Sequence, residues 1–224
     1  MGRERRIVGE PEEFPIPHVK SWYLVVAGLA FGALLLSGSI VRLCADRLWF
    51  AEVGLPQVFW TTLWARGGMG LACATLFLGS VYANLRWAGR SVAGLWPVNP
   101  DGPLGALQAL TPILRVFLPV AAVFVGLAVG IRGSAGWEAL LLWRHAVPFG
   151  IVDPLFGRDI GYFVFTLPVL GFAWTLLFAT LSVSLVAVVV AHLMRGGILA
   201  GGGGIRIVPR ARAHVVALLG ALVA

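Results

Sequence analysis

An all-α, polytopic transmembrane helix bundle with interfacial outer-loop segments is the fold that this sequence predicts, on three observations. Four apolar runs, residues 22–41, 67–85, 112–131 and 168–194, are long enough to cross a bilayer, since a spanning helix needs about 20 apolar residues at ~1.5 Å rise each. The chain is 59% hydrophobic and 12% charged, where a soluble domain usually carries about 25% charged residues. The cations sit between the apolar runs rather than on one basic face. Membrane topology therefore accounts for the net charge of +7, and no nucleic-acid partner is expected.

Residues 1–20 are polar, contain Pro11, Pro15 and Pro17, and offset their four bases with four acids. They read as a flexible cytoplasmic tail ahead of a membrane domain over residues 21–224. Trp22 and Tyr23 open the first run as interfacial aromatics. That run is too long for a signal-peptide core and lacks a clear cleavage site, so it should stay in place as a helix. Residues 46–63 are aromatic and apolar but are broken by Asp46, Arg47, Glu52 and Pro56, which suits a segment lying in the outer interface. After the second run, residues 87–111 form an inner loop with Pro97, Pro100, Pro103 and an Asn99-Pro-Asp-Gly102 turn.

The outer region 132–167 follows the third run. Residues 137–145 are expected to form a short helix on the membrane surface, with Trp137, Leu140, Leu141 and the ring of Trp143 toward apolar surroundings and Glu138, Arg144 and His145 toward water. The fourth run, about 40 Å long as a helix, exceeds a hydrocarbon core of ~30 Å and should tilt or protrude. The glycines at 201–204 are followed by Ile205 and Arg206, not by the Lys-Ser/Thr of a phosphate-cradling loop, and read as a flexible connection. A fifth run starts at 211 and stops without a polar flank, so a truncated fifth span and a longer natural protein are expected.

Orientation follows from the cations. With the N-terminus inside, Arg3, Arg5, Arg6, Lys20, Arg86, Arg90, Arg115, Arg195, Arg206, Arg210 and Arg212 lie on the inner side, and Arg42, Arg47, Arg66, Arg132, Arg144 and Arg158 on the outer. Eleven against six favours a cytoplasmic N-terminus.

Two outer tracts resemble each other without gaps. Asp46-x-Leu48-Trp49-x-x-Glu52-Val53-Gly54 aligns on Asp153-x-Leu155-Phe156-x-x-Asp159-Ile160-Gly161, which reads as an internal repeat of a helix–re-entry–helix unit. Charges near hydrocarbon are usually paired, with Arg47 and Arg158 as the local partners. Asp46, Glu52, Asp153, Arg158, Asp159 and Tyr162 are the candidate ligand or partner surface; pinning of the loops by ion pairs is the alternative role for the charges, and an aromatic belt for Tyr162. Gly28 and Gly32, and Gly126 and Gly130, are GxxxG pairs that would let helix backbones approach closely. Cys44 and Cys73 read as small apolar fillers. His18, His145, His192 and His214 are scattered without ligand spacing, so no metal site is expected. No nucleophile motif or paired catalytic groups appear, and no catalytic residue or cofactor is assigned.

The tract Asp153-Pro-Leu-Phe-Gly-Arg-Asp-Ile-Gly-Tyr-Phe-Val-Phe-Thr-Leu-Pro168 resembles the signature of uncharacterised protein family 0182, a bacterial membrane-protein family. Leu48-Trp-Phe-Ala-Glu-Val-Gly54, Val58-Phe-Trp-Thr61 and Arg210-Ala-Arg-Ala-His214 are similar to the same family, so the resemblance runs from about residue 22 to the end. It implies a multi-pass protein of the plasma membrane with further spans and a large extracytoplasmic region after this chain. It implies no activity and no functional residue. The expected partners are the lipid bilayer, that C-terminal region and other membrane subunits. The function expected is non-enzymatic, a membrane domain that anchors or docks the extracytoplasmic region. A component of a transporter or channel for envelope substrates is the alternative, and a membrane-embedded enzyme the third. Near-absence of ionisable groups deep in the runs argues against a self-contained ion-coupled carrier.

Overall fold

The computed structural model describes residues 21–90, 110–201 and 204–224. The expected tail, the 99–102 turn and residues 202–203 lie outside them. The described residues form an all-α architecture with one small hairpin. The elements are α1 (Ser21–Glu52), α2 (Pro56–Arg90), α3 (Thr111–Gly133), α4 (Trp137–Arg144), α5 (Leu167–Met194), β1 (Ile198–Gly201), β2 (Gly204–Ile207) and α6 (Pro209–Val223). Three helical stretches, Pro56–Arg90, Pro112–Arg144 and Tyr162–Met194, are long and apolar enough to cross a membrane, and α1 makes a fourth if its bent halves count as one span. Two units divide the chain, one ending at Phe59 and one over Trp60–Ala224.

In the first unit α1 bends by 43° between Val26–Leu34 and Leu36–Glu52. The Ser37 hydroxyl donates to the Leu34 carbonyl at 2.7 Å, and such back-bonds weaken the helical ladder and bend it. The helix stops at a Schellman motif: Leu55 N–H donates to Phe50 O, Gly54 N–H to Ala51 O, and Gly54 takes φ +75°, a conformation that glycine alone adopts cheaply. Pro56 then opens α2, where its missing N–H costs nothing. The expected interfacial segment 46–63 is therefore the end of one helix and the start of another.

In the second unit α2 and α3 meet through small residues. A Cβ at Gly126 would stand 2.7 Å from the Leu78 side chain, one at Gly130 3.0 Å from Ala74 Cβ and from Gly70 O, and one at Gly133 2.6 Å from Cys73. Only residues without side chains allow that approach. Gly28 and Gly32 differ: within the first unit a Cβ at either meets nothing within 4 Å among the described residues. The expected surface helix 137–145 is not set apart. A 3-10 turn, Ser134–Gly136, joins α3 to α4, and the stretch Pro112–Arg144 continues as one. Ahead of α5, Tyr162–Thr166 is a single π-helical turn in which Leu167 N–H reaches Tyr162 O. The wider turn makes room for Pro168, whose ring would otherwise press on the carbonyl four residues earlier.

Buried side chains line one side each of α2 (Cys73, Phe77, Val81, Ala88) and α5 (Thr180, Ser184, Val188, His192), with Ala211 and Leu218 on α6. Most large apolar residues elsewhere are exposed, among them Leu34 at 70%, Phe124 at 68% and Ile131 at 73%. The strands on either side of the glycine-rich connection pair antiparallel, with Ile198 opposite Ile207 and Gly201 opposite Gly204. The proposed repeat does not share a conformation. Asp46 to Glu52 is helical, whereas Asp153 to Asp159 is a turn, because Pro154 and Gly157 replace Arg47 and Phe50 in the second tract.

Candidate functional site

The residues of the second unit predicted as a ligand or partner surface gather at one loop and the helical turn that follows it. Asp159 caps the helix that starts at Ile160: its carboxylate accepts the N–H of Gly161 at 2.6 Å, of Gly150 at 2.8 Å and of Phe149 at 3.1 Å. The Phe149 N–H, with those of Gly161 and Gly150, holds this carboxyl below the usual carboxylate range. Asp153 accepts from Leu155 and Phe156 N–H at 2.9 and 2.8 Å, and Gly157 turns the chain with φ +63°. The guanidinium of Arg158 lies over the Tyr162 ring, 4.5 Å from its centroid. Both carboxylates thus bind backbone N–H groups, and the contact that Arg158 makes is with an aromatic face rather than the expected acid. Asp46 and Glu52 belong to the first unit and stand exposed near the end of α1.

A second constellation, which the sequence reading missed, forms at the opposite end of α2 and α5. His192 and His214, read as scattered, meet edge to face with ring centroids 5.7 Å apart. His214 Nε2 lies 3.0 Å from Asn84 Oδ1, while the Asn84 amide donates to Ser80 O at 2.9 Å. The amide oxygen can only accept, so His214 carries its proton on Nε2. Among the described residues its Nδ1 and both ring nitrogens of the fully buried His192 have no hydrogen-bond partner. Arg195 donates to the Gly89 carbonyl at 2.7 Å, tying the end of α5 to the end of α2. Beside this cluster opens a cavity of about 730 Å³, lined by Asn84, Trp87, Arg90, Arg210 and His214 and by apolar residues of α2 and α6. Among the described residues no group of three or more His, Cys, Asp or Glu is placed to hold a metal.

The hairpin is what brings the histidines together. His192 precedes Ile198 by about as many positions as His214 follows Ile207, so the strand register that sets Ile198 against Ile207 also sets the flanking helices side by side. Gly196 at φ +71° and a bond from Gly197 N–H to His192 O end α5 in a second Schellman motif. A Cβ at Gly197 would stand 3.0 Å from His192 Nδ1, so the glycine admits the ring. A glycine-rich connection between two apolar runs was the available signal.

The model of the family described as uncharacterised protein family (UPF0182) matches residues 23–224. The chain belongs to UPF0182. A UPF0182 protein of Saccharopolyspora erythraea is 34% identical over 203 residues, covering 89% of this chain and 21% of the relative. One of Mycobacterium marinum is 34% identical over 209 residues, 91% of the chain and 21% of the relative. One of Mycobacterium tuberculosis is 35% identical over 218 residues, 96% of the chain and 22% of the relative. The chain therefore spans about a fifth of the length of the UPF0182 proteins it matches. No solved structure matches it.

Proposed function

We propose that this chain is the N-terminal membrane domain of a larger cell-envelope protein, multi-pass in the plasma membrane with its N-terminus cytoplasmic, and that it anchors or docks an extracytoplasmic region. The observation that carries the membrane part is the exposed apolar surface of the long helices. Leu, Val and Phe side chains face outward along α1, α2, α3 and α5, which is costly in water and favourable in hydrocarbon. The orientation is supported by the convergence of Arg90, Arg195 and Arg210 at one end, the arrangement that cytoplasmic loops favour. Anchoring is supported by the relatives, whose length is mostly outside the matched part. The loop holding Asp153, Arg158, Asp159 and Tyr162 then lies outside, where it offers exposed apolar residues beside satisfied acids to a docking partner.

Cysteine labelling in intact cells tests the topology. In a Cys44→Ser background, with Cys73 buried, Leu155→Cys should react with an impermeant maleimide from outside, since Leu155 is 80% exposed. Arg212→Cys should react only after permeabilisation. The reverse pattern overturns the orientation.

A further inference from the structure

The cavity at the arginine-rich end has the chemistry of a binding site, and we propose that it holds the phosphate head of an anionic phospholipid, with an acyl chain lying between α2 and α6. The proposal rests on the membrane reading above. Arg90 comes from the last turn of α2 and Arg210 from the first turn of α6, and both line the one cavity. Among the described residues lining it none is acidic. Two guanidinium groups, always charged, therefore offer positive charge to whatever enters the cavity. Arg210 also stands where the partial positive charge of the α6 N-terminus makes a cation unfavourable, and the first turn of α6 carries no acid. An anion in the cavity is favoured by both guanidinium charges and by the helix end.

The remaining lining decides what kind of anion. Ala83 on α2 and Ala213, Ala217 and Leu218 on α6 form an apolar wall that leads away from the arginines toward the apolar stretch of α2. Free inorganic phosphate gains nothing from such a wall, whereas an acyl chain does. Trp87 also lines it and stands between Ala83 and Arg90 along α2, a level at which indole rings suit the headgroup boundary. Asn84 and His214 add polar groups to the lining, held to each other at 3.0 Å. Basic pockets between membrane helices on the cytoplasmic side are the general setting for phosphate headgroups.

Native mass spectrometry of the 224-residue chain in a mild detergent tests this. Phosphatidylglycerol should be retained in a one-to-one complex at concentrations where phosphatidylcholine with the same chains is not, and glycerol 3-phosphate should compete poorly. Arg90→Ala/Arg210→Ala should weaken phosphatidylglycerol retention about tenfold or more, Arg90→Lys/Arg210→Lys should keep most of it, and the charge-matched control Arg42→Ala/Arg47→Ala should leave it unchanged. Equal retention of both lipids, equal loss in the control pair, glycerol 3-phosphate competing as well as the lipid, or a dimer forming in place of the complex each overturns the site. The wild-type lipid comparison does not depend on any variant folding. Failure of the membrane reading itself has a different signature, a chain that stays monodisperse without detergent.

Discussion

Asp159 and His192 show how little a residue type says about its role until its neighbours are known. Asp159 has the look of a ligand-binding acid near a membrane surface, yet its oxygens are taken up by three backbone N–H groups. Its lowered carboxyl pKa has a definite sign. The ionised form is favoured in the folded loop, so the stabilisation is present above the ordinary aspartate range of ~3.9 and is lost as pH falls through the lower folded value. The Gly161 amide resonance should therefore titrate with a midpoint below that of an unstructured aspartate, and Asp159→Ala should abolish the titration. A midpoint at or above the ordinary value counts against the cap. His192, fully buried, carries two ring nitrogens with no hydrogen-bond partner among the described residues. Replacing an unsatisfied polar ring by an apolar side chain of similar size removes a desolvation cost of about 1 kcal/mol or more. His192→Leu should leave the thermal midpoint unchanged or raise it, and a clear loss of stability means that the ring nitrogens are engaged.

Among the elements, the contrast between the two GxxxG pairs is decided by packing alone. The spacing Gly126 and Gly130 is the same as Gly28 and Gly32, and the motif by itself does not separate them. The structure seats the first against Leu78, Ala74 and Gly70, whereas within its own unit the second has no described residue within 4 Å. Gly130→Leu should lower the stability of the chain in detergent by about 1–3 kcal/mol, the ordinary cost of overpacking, with thermal denaturation as the readout. Gly28→Leu should shift it by no more than about 0.5 kcal/mol. Equal effects at the two positions would refute the assignment. The helix boundaries follow a similar logic. The apolar run begins at residue 67, but α2 begins at Pro56, because a Schellman turn and a proline start a helix irrespective of hydropathy.

For the whole molecule, charge spacing and helix length agree. Between Arg66 and Arg86 α2 carries no charged residue, a distance of about 30 Å along a helix that matches a hydrocarbon core. The same end that holds Arg86 and Arg90 receives Arg195 and Arg210, so the labelling of Leu155→Cys and Arg212→Cys from opposite sides is the expectation at this scale. The lipid site belongs here too, since its two arginines come from helices about 120 positions apart in the chain and only their packing makes one pocket.

From the amino-acid order alone the all-α class, the long apolar helices and the family could be read, because hydropathy and turn chemistry act over a few residues and leave a local pattern. The meeting of His192 with His214, the seating of Gly126 and Gly130 on α2, and the pocket between Arg90 and Arg210 could not. They depend on which helix faces which, and helices whose apolar residues suit lipid and protein neighbours equally well carry no one-dimensional mark of that choice.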